Sequence, residues 1–213
     1  MRPTRNLNTD MPRTAKEPIE LKEACVRAAH EVIAEHGIEA LSLREVARKL
    51  GVSHQAPYRH YPTRDHLLAE VMRRCFEDFA RSLDARERFD EPSADLHSLG
   101  QAYLRFAATH ALEYRLMFNT PWPEKADHPA LMRDAAHAFN ILRSVLARVH
   151  GPDKSKKSLI DLDAMFIWST MHGLASITQS SAMTHLDIPK TAQTKAIPHV
   201  MEMIGSAMQG RGR

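Results

Sequence analysis

Two cysteines, Cys25 and Cys75, are all that a chain of 213 residues contains. That count excludes a disulfide framework or a four-cysteine zinc site, and both thiols fall within helix-like apolar patterns that predict burial. No stretch approaches the roughly 20 consecutive apolar residues that a membrane-spanning helix requires, so no membrane partner is expected. The basic N-terminal segment has no apolar block behind it and does not resemble a secretory signal peptide, which makes a cytoplasmic location the expectation. Alternating strand patterns and Asn-Gly or Asp-Gly hairpin signals are missing, as are internal repeats and long low-complexity segments. Enzyme motifs are missing too: there is no His-Glu-x-x-His, no glycine-rich phosphate loop and no Ser or Cys in a nucleophile motif. A helical-bundle enzyme or metal protein draws support only from 13 histidines and nearby acids. No catalytic residue, metal ligand or cofactor is therefore assigned.

What is present is helical periodicity in a composition typical of globular proteins, 43% hydrophobic and 26% charged. Residues 1–18 mix Pro, Thr, Asn and Arg without apolar period and read as a flexible basic arm, because no buried surface would offset the entropy of ordering them. From Ile19, apolar residues recur at helical spacing through Leu21, Cys25, Ala28 and Val32 until Gly37, which readily adopts a left-handed helix stop. A second helix opens at Ser42, which can cap the free amides, with Glu45 placed to bond back, and it closes at Gly51. A third, very short helix is expected after Ser53 to about His60, and a fourth after Thr63 through Leu83. Further stripes run from Leu96 to His110 and from Leu131 to Val149, separated by Pro121-Trp122-Pro123. Leu159 to Ile177 is apolar on nearly every side, so that helix must be covered on more than one face. A last helix carries Ile197, Met201, Ile204 and Met208 on one side, with Pro198 at its first turn or kinking it.

Charge is concentrated rather than spread. The chain has a formal net charge of +3, and residues 42–66 alone hold Arg44, Arg48, Lys49, Arg59 and Arg64 against Glu45 and Asp65. Two short helices joined by Gly51-Val52-Ser53 match the geometry that presents a second helix to the DNA major groove while the first braces it. With Ser53 as cap, His54, Gln55 and Ala56 would face base edges, where Gln can pair bidentately with adenine and Ala can touch a thymine methyl. Tyr58, His60 and Arg64 flank them as hydrogen-bond donors, and Thr63 opens a helix whose free amides suit a phosphate. Ser42, Arg44 and Arg59 complete the expected DNA-binding set. A nonspecific DNA-coating protein would use the same basic segment without reading bases.

The run SLREVARKLGVSHQAPYRHYPTRDHLLAEV resembles the helix-turn-helix of the tetracycline-repressor (TetR) family of bacterial regulators. The likeness includes Ala47, Leu50, Gly51, Val52 and Ser53, then Tyr58, His60, Tyr61 and Arg64 followed by Leu67 and Leu68. Two positions depart from the pattern: Gln55 stands where the family often has Gly, and Arg64 where it often has Lys. Residues 167–173, IWSTMHG, resemble the ligand-domain type named after Trp-His-Gly. The resemblance implies an all-α fold: a three-helix DNA-binding domain over residues 19–79, and a larger helical bundle over 80–213 that dimerises and senses a small molecule. It implies a sequence-specific regulator, most often a repressor, acting as a homodimer on a near-palindromic double-stranded DNA operator in response to an unidentified small-molecule effector. The effector is expected among the helices bearing Tyr103, Met117, Phe118, Phe139, Trp168 and His172, a mostly apolar set with a few polar groups.

Overall fold

The computed structural model describes residues 18–152, 157–180 and 185–209, so the expected N-terminal arm lies outside the described residues. Eight α-helices and three 3₁₀ turns, with no strand, make up these residues. They form two compact units, the first extending through Leu67 and the second beginning at Leu68.

In the first unit, α1 (Pro18–His36) ends where Gly37 takes φ 81° and its amide reaches the carbonyl of Ile33 at 2.9 Å. After a 3₁₀ turn at Ile38–Ala40, α2 (Leu43–Leu50) begins at Ser42, whose Oγ accepts the Glu45 amide at 3.1 Å. The return bond expected from Glu45 is replaced: its carboxylate pairs with Arg48, one turn along the exposed face. At the other end Gly51 adopts the left-handed conformation at φ 64°, and the Val52 amide reaches back to the Ala47 carbonyl at 3.1 Å. That closure satisfies carbonyls a helix end would leave open. Val46 and Ala47 are fully buried against α1, whose inner face supplies Cys25, Ala29 and Val32.

The expected third helix is not an α-helix. Residues 54–56 form a turn, stabilised by the Ala56 amide on the Ser53 carbonyl at 3.0 Å, and Pro57–Arg59 form a single 3₁₀ turn. Pro57 has no amide with which to continue an α-helical ladder and is itself buried, so the chain tightens here. α3 (Arg64–Asp84) follows, with the Thr63 hydroxyl accepting the His66 amide at 3.3 Å.

In the second unit, α4 (Pro92–Thr109) starts with proline at its first position and Glu91 as cap, accepting the amides of Ser93 and Ala94 at 3.0 and 2.6 Å. The stripe from Leu96 to His110 breaks at its last residue: His110 leaves helical geometry at φ −126°, ψ 52°, and α5 (Ala111–Phe118) begins directly after it. α6 (Pro129–His150) ends at Gly151, φ 75°, and is followed by α7 (Lys157–Thr178) and α8 (Lys190–Met208). Pro198 lies well inside α8 rather than at its first turn. Of the predicted α8 stripe, Met201, Ile204 and Met208 are buried and Ile197 is exposed.

α4 is the hub, packed against α5, α6, α7 and α8. It approaches α8 closely at Gly100, where a Cβ would stand 2.6 Å from Met201 Cε. Polar locks hold the periphery of this unit. The buried Asp95 carboxylate accepts Arg86 at 3.1 Å and Arg148 at 2.6 Å, and Arg148 also donates to the carbonyls of Phe89 and Asp90. His150 at the end of α6 meets Asp163 of α7 at 2.8 Å, both buried. Cys25 and Cys75 are buried thiols as expected, and burial pushes the pKa of Cys75 up to about 12.

Candidate functional site

Two regions hold the residues singled out from the sequence. In the first unit, the α2 end and the 51–60 segment expose Arg44, Ser53, His54, Gln55, Tyr58 and Arg59 to solvent, while Ala56 and His60 are half-buried. Tyr58 is 47% exposed, high for an aromatic ring. Pro57 and Tyr61 point inward instead, and the Tyr61 hydroxyl donates to the Lys22 carbonyl at 3.4 Å. The alternation of exposed and buried residues is what a tight turn imposes: the segment is anchored by two rings and offers the polar side chains between them.

The five positive charges of this window are not equally available. Arg48 is tied to Glu45, and Lys49 sits between Glu35 at 2.8 Å and Glu31 at 3.3 Å, contacts that raise the affinity of both cations for their protons. Arg64, expected to hold a phosphate, spends Nε on the Leu41 carbonyl at 3.0 Å and Nη2 on the Ile38 carbonyl at 2.9 Å, while Nη1 stands 3.5 Å from Asp65. Its guanidinium fastens the turn before α2 to the start of α3. Arg44 and Arg59 are the cations of the window without a carboxylate partner among the described residues. Sequence spacing could not reveal this division, since Lys49 and Arg64 find partners 14 to 26 positions away.

The second unit contains a cavity of about 870 Å³, and Tyr103, Met117, Phe118, Phe139, Trp168 and His172 all line it. Phe118 sits among rings, 4.9 Å from Tyr114, 5.2 Å from His172 and 6.1 Å from Trp168, while Phe139 meets Trp168 at 5.8 Å. Sequence reasoning passed over Phe76, Trp122, Met171 and Met201, which also line the cavity. Phe76 and Met171 lie on apolar helical stretches, but Trp122 lies in the proline-rich break and is held there by its indole N–H, which donates to the Met117 carbonyl at 3.0 Å.

A polar cluster is set among these rings, apart from Ser93, His97, Ser206 and Gln209, which also line the cavity. The Tyr103 and Tyr114 hydroxyls are 2.7 Å apart, Tyr114 Oη lies 2.7 Å from His172 Nδ1, and His172 Nε2 is 3.5 Å from Ser176 Oγ. Tyr114 was not expected from the sequence; a hydroxyl behind the lining completes the cluster. Burial lowers the His172 pKa, so its ring is neutral near pH 7, and burial pushes the Tyr114 phenol up to about 12. Burial raises the Tyr103 phenol further, helped by Tyr114 and opposed by a hydrogen bond from the Trp168 side chain. All three groups are therefore uncharged hydrogen-bonding partners.

A helix-turn-helix unit with exposed polar side chains on its second element, and a second helical unit with a cavity of its own, are the arrangement found in DNA-binding transcription regulators. Residues 26–71 match the family described as "Bacterial regulatory proteins, tetR family", and residues 96–202 match the "Tetracyclin repressor-like, C-terminal domain". The chain belongs to the TetR family of transcriptional regulators. HTH-type transcriptional regulators of Mycobacterium bovis and Mycobacterium tuberculosis are 33% identical to it over 114 residues, 52% of this chain and 48% of theirs. The match thus spans about half the length of these curated relatives. Among solved structures, a transcriptional regulator from Rhodococcus shares the fold with a TM-score of 0.63 at 23% identity, over 88% of this chain and 95% of that one. The multidrug binding protein EbrR, complexed with imidazole, has a TM-score of 0.60 at 22% identity, over 94% and 95%. No helix among the described residues is long and apolar enough to cross a membrane.

Proposed function

We propose that this regulator is a ligand-responsive repressor that binds a near-palindromic operator as a homodimer, with residues 19–79 reading DNA and residues 80–213 sensing an effector and pairing the subunits. The observation that carries the reading is a cavity of about 870 Å³ with a mostly apolar, aromatic lining into which Tyr103 and His172 set hydrogen-bonding groups, an arrangement that suits a small molecule rather than core packing. The structural neighbour EbrR, described as multidrug binding and complexed with proflavin, lends the same fold a ligand-binding precedent. His54, Gln55 and Ala56 would face base edges, with Tyr58, Arg59, Arg44 and the α3 N-terminus at Thr63 on phosphates. For the homodimer, support comes from α7 and α8, which leave Leu162, Met165, Phe166 and Met203 exposed, Leu162 at 64%. Large apolar side chains left exposed on these helices favour a partner of equal chemistry.

Selection of bound duplexes from a random pool tests the proposal. Enrichment of a near-palindrome with half-sites spaced by about one helical turn is the expected result. Binding that rises at low salt but enriches no sequence would instead identify a nonspecific DNA-coating protein.

A further inference from the structure

The geometry points to an effector that is uncharged: a largely apolar molecule with one neutral hydrogen-bonding head, an alcohol, phenol or carbonyl, seated on Tyr103 at the end of its chain of hydrogen bonds through Tyr114 to His172. This inference rests on the reading of the cavity as the effector site and adds the chemical class.

Three features of the cavity carry it. First, no lysine or arginine occurs among the described residues that line it, and its second histidine, His97, is exposed and paired with Gln101 at 3.1 Å, so a carboxylate or phosphate buried there would lack a buried countercharge and would lose its hydration without compensation. Second, its two acids give no buried partner to a cation. Glu91 and Glu202 are exposed, and the Glu91 carboxylate already accepts the Ser93 and Ala94 amides at the start of α4. Third, Tyr103 and His172, the hydrogen-bonding groups set among its aromatic rings, belong to a neutral relay that can run in either direction.

With the proton of His172 on Nε2, Tyr114 donates to Nδ1, Tyr103 donates to Tyr114, and Tyr103 keeps a lone pair for a ligand hydroxyl. With the proton on Nδ1, His172 donates to Tyr114 and Tyr114 donates to Tyr103, whose own hydroxyl is then free to donate to a ligand carbonyl. The Ser176 hydroxyl, 3.5 Å from Nε2, serves as acceptor in the first arrangement and donor in the second. No charge is created in either, so the same site accepts a donor head or an acceptor head and disfavours ionised ones.

The chain's two tryptophans, Trp122 and Trp168, both line the cavity, so intrinsic fluorescence of the full-length protein reports its occupancy. Four probes with alkyl tails of similar length differ mainly in the head: decanol, methyl octyl ketone, decanoate and decyltrimethylammonium. Decanol and the ketone are expected to bind at least roughly tenfold more tightly than either ion, the effect of burying a head group that is satisfied rather than unpaired. Tyr103→Phe should remove most of that advantage while leaving the weak binding of decyltrimethylammonium unchanged, which shows the cavity intact. Equal or tighter binding of decanoate or of the quaternary ammonium, the latter held on aromatic faces, overturns the neutral class and leaves the effector cavity standing. Silence of both tryptophans toward all four probes overturns the cavity's role as a ligand site and the class with it.

Discussion

Arg64 donates from Nη2 to the carbonyl of Ile38, 26 positions earlier, across 2.9 Å, and its Nε reaches the Leu41 carbonyl from the same side chain. Two bonds from one charged group to the turn that precedes α2 make this residue a strut for the DNA-binding unit. Arg64→Ala should destabilise the protein by about 1.5–3 kcal/mol, the range for hydrogen bonds to charged groups. It should weaken DNA binding by misplacing α2, with little change in the slope of log affinity against log salt. Thermal melts and salt titrations together check this; a slope change of about one ion release would assign Arg64 to a phosphate instead.

Arg59 and Gln55 are expected to fail in different ways. Arg59 is exposed and has no carboxylate partner among the described residues, so Arg59→Ala should lower affinity for every duplex and reduce the salt slope by about 0.9. Gln55→Ala should cost about 1–3 kcal/mol on the preferred operator and much less on scrambled DNA, as for loss of a bidentate base contact. Titrations of both variants on both duplexes decide between the roles.

Phe166 is 46% exposed on α7 beside Leu162, which makes it a sensitive probe of subunit pairing. Phe166→Asp should raise the dimer dissociation constant by at least roughly a hundredfold, because a carboxylate buried in an apolar contact costs several kcal/mol. Light scattering at micromolar concentration measures the outcome, and a wild-type monomer there would remove the dimer from the proposal.

Gly100→Ala should separate stability from ligand uptake. The added methyl would meet Met201 Cε at 2.6 Å and Sδ at 2.9 Å, with Met171 Cε at 3.4 Å, so flexible methionine ends must move and both residues line the cavity. The strain is offset by the gain of about 1 kcal/mol for alanine over glycine inside a helix. The melting temperature should change little while probe binding weakens, and Met201→Ala in the same chain should restore binding.

His172 confers a dependence on pH whose sign follows from burial. Its folded-state pKa lies below the ordinary histidine value of about 6.5, so in mild acid the unfolded chain takes up a proton that the folded one refuses. The associated stability is present above that ordinary value and is lost as pH falls from it through the folded pKa. Melting temperatures measured downward from neutral pH should fall less steeply for His172→Gln than for the wild type.

The punctuation of the helices was readable from residues close in sequence. Ser42 and Thr63 cap because a hydroxyl can reach an amide three positions on, and Gly37, Gly51 and Gly151 end helices because they adopt positive φ at low cost. The helix-turn-helix pattern and the apolar stripes were legible for the same reason: each depends on local spacing. That Pro57 has no amide to donate is a local fact, but whether the chain there forms an α-helical turn or a 3₁₀ one depends on its burial and on the bonds around it. Tertiary structure alone decided which charges of the basic segment are spent: Lys49 and Arg64 are claimed by groups on other elements, and no spacing rule connects residues so far apart. The same holds for the cavity. Tyr103, Tyr114 and His172 become one hydrogen-bonded cluster because α4, α5 and α7 bring them together, a juxtaposition set by packing that lies beyond the reach of any local period.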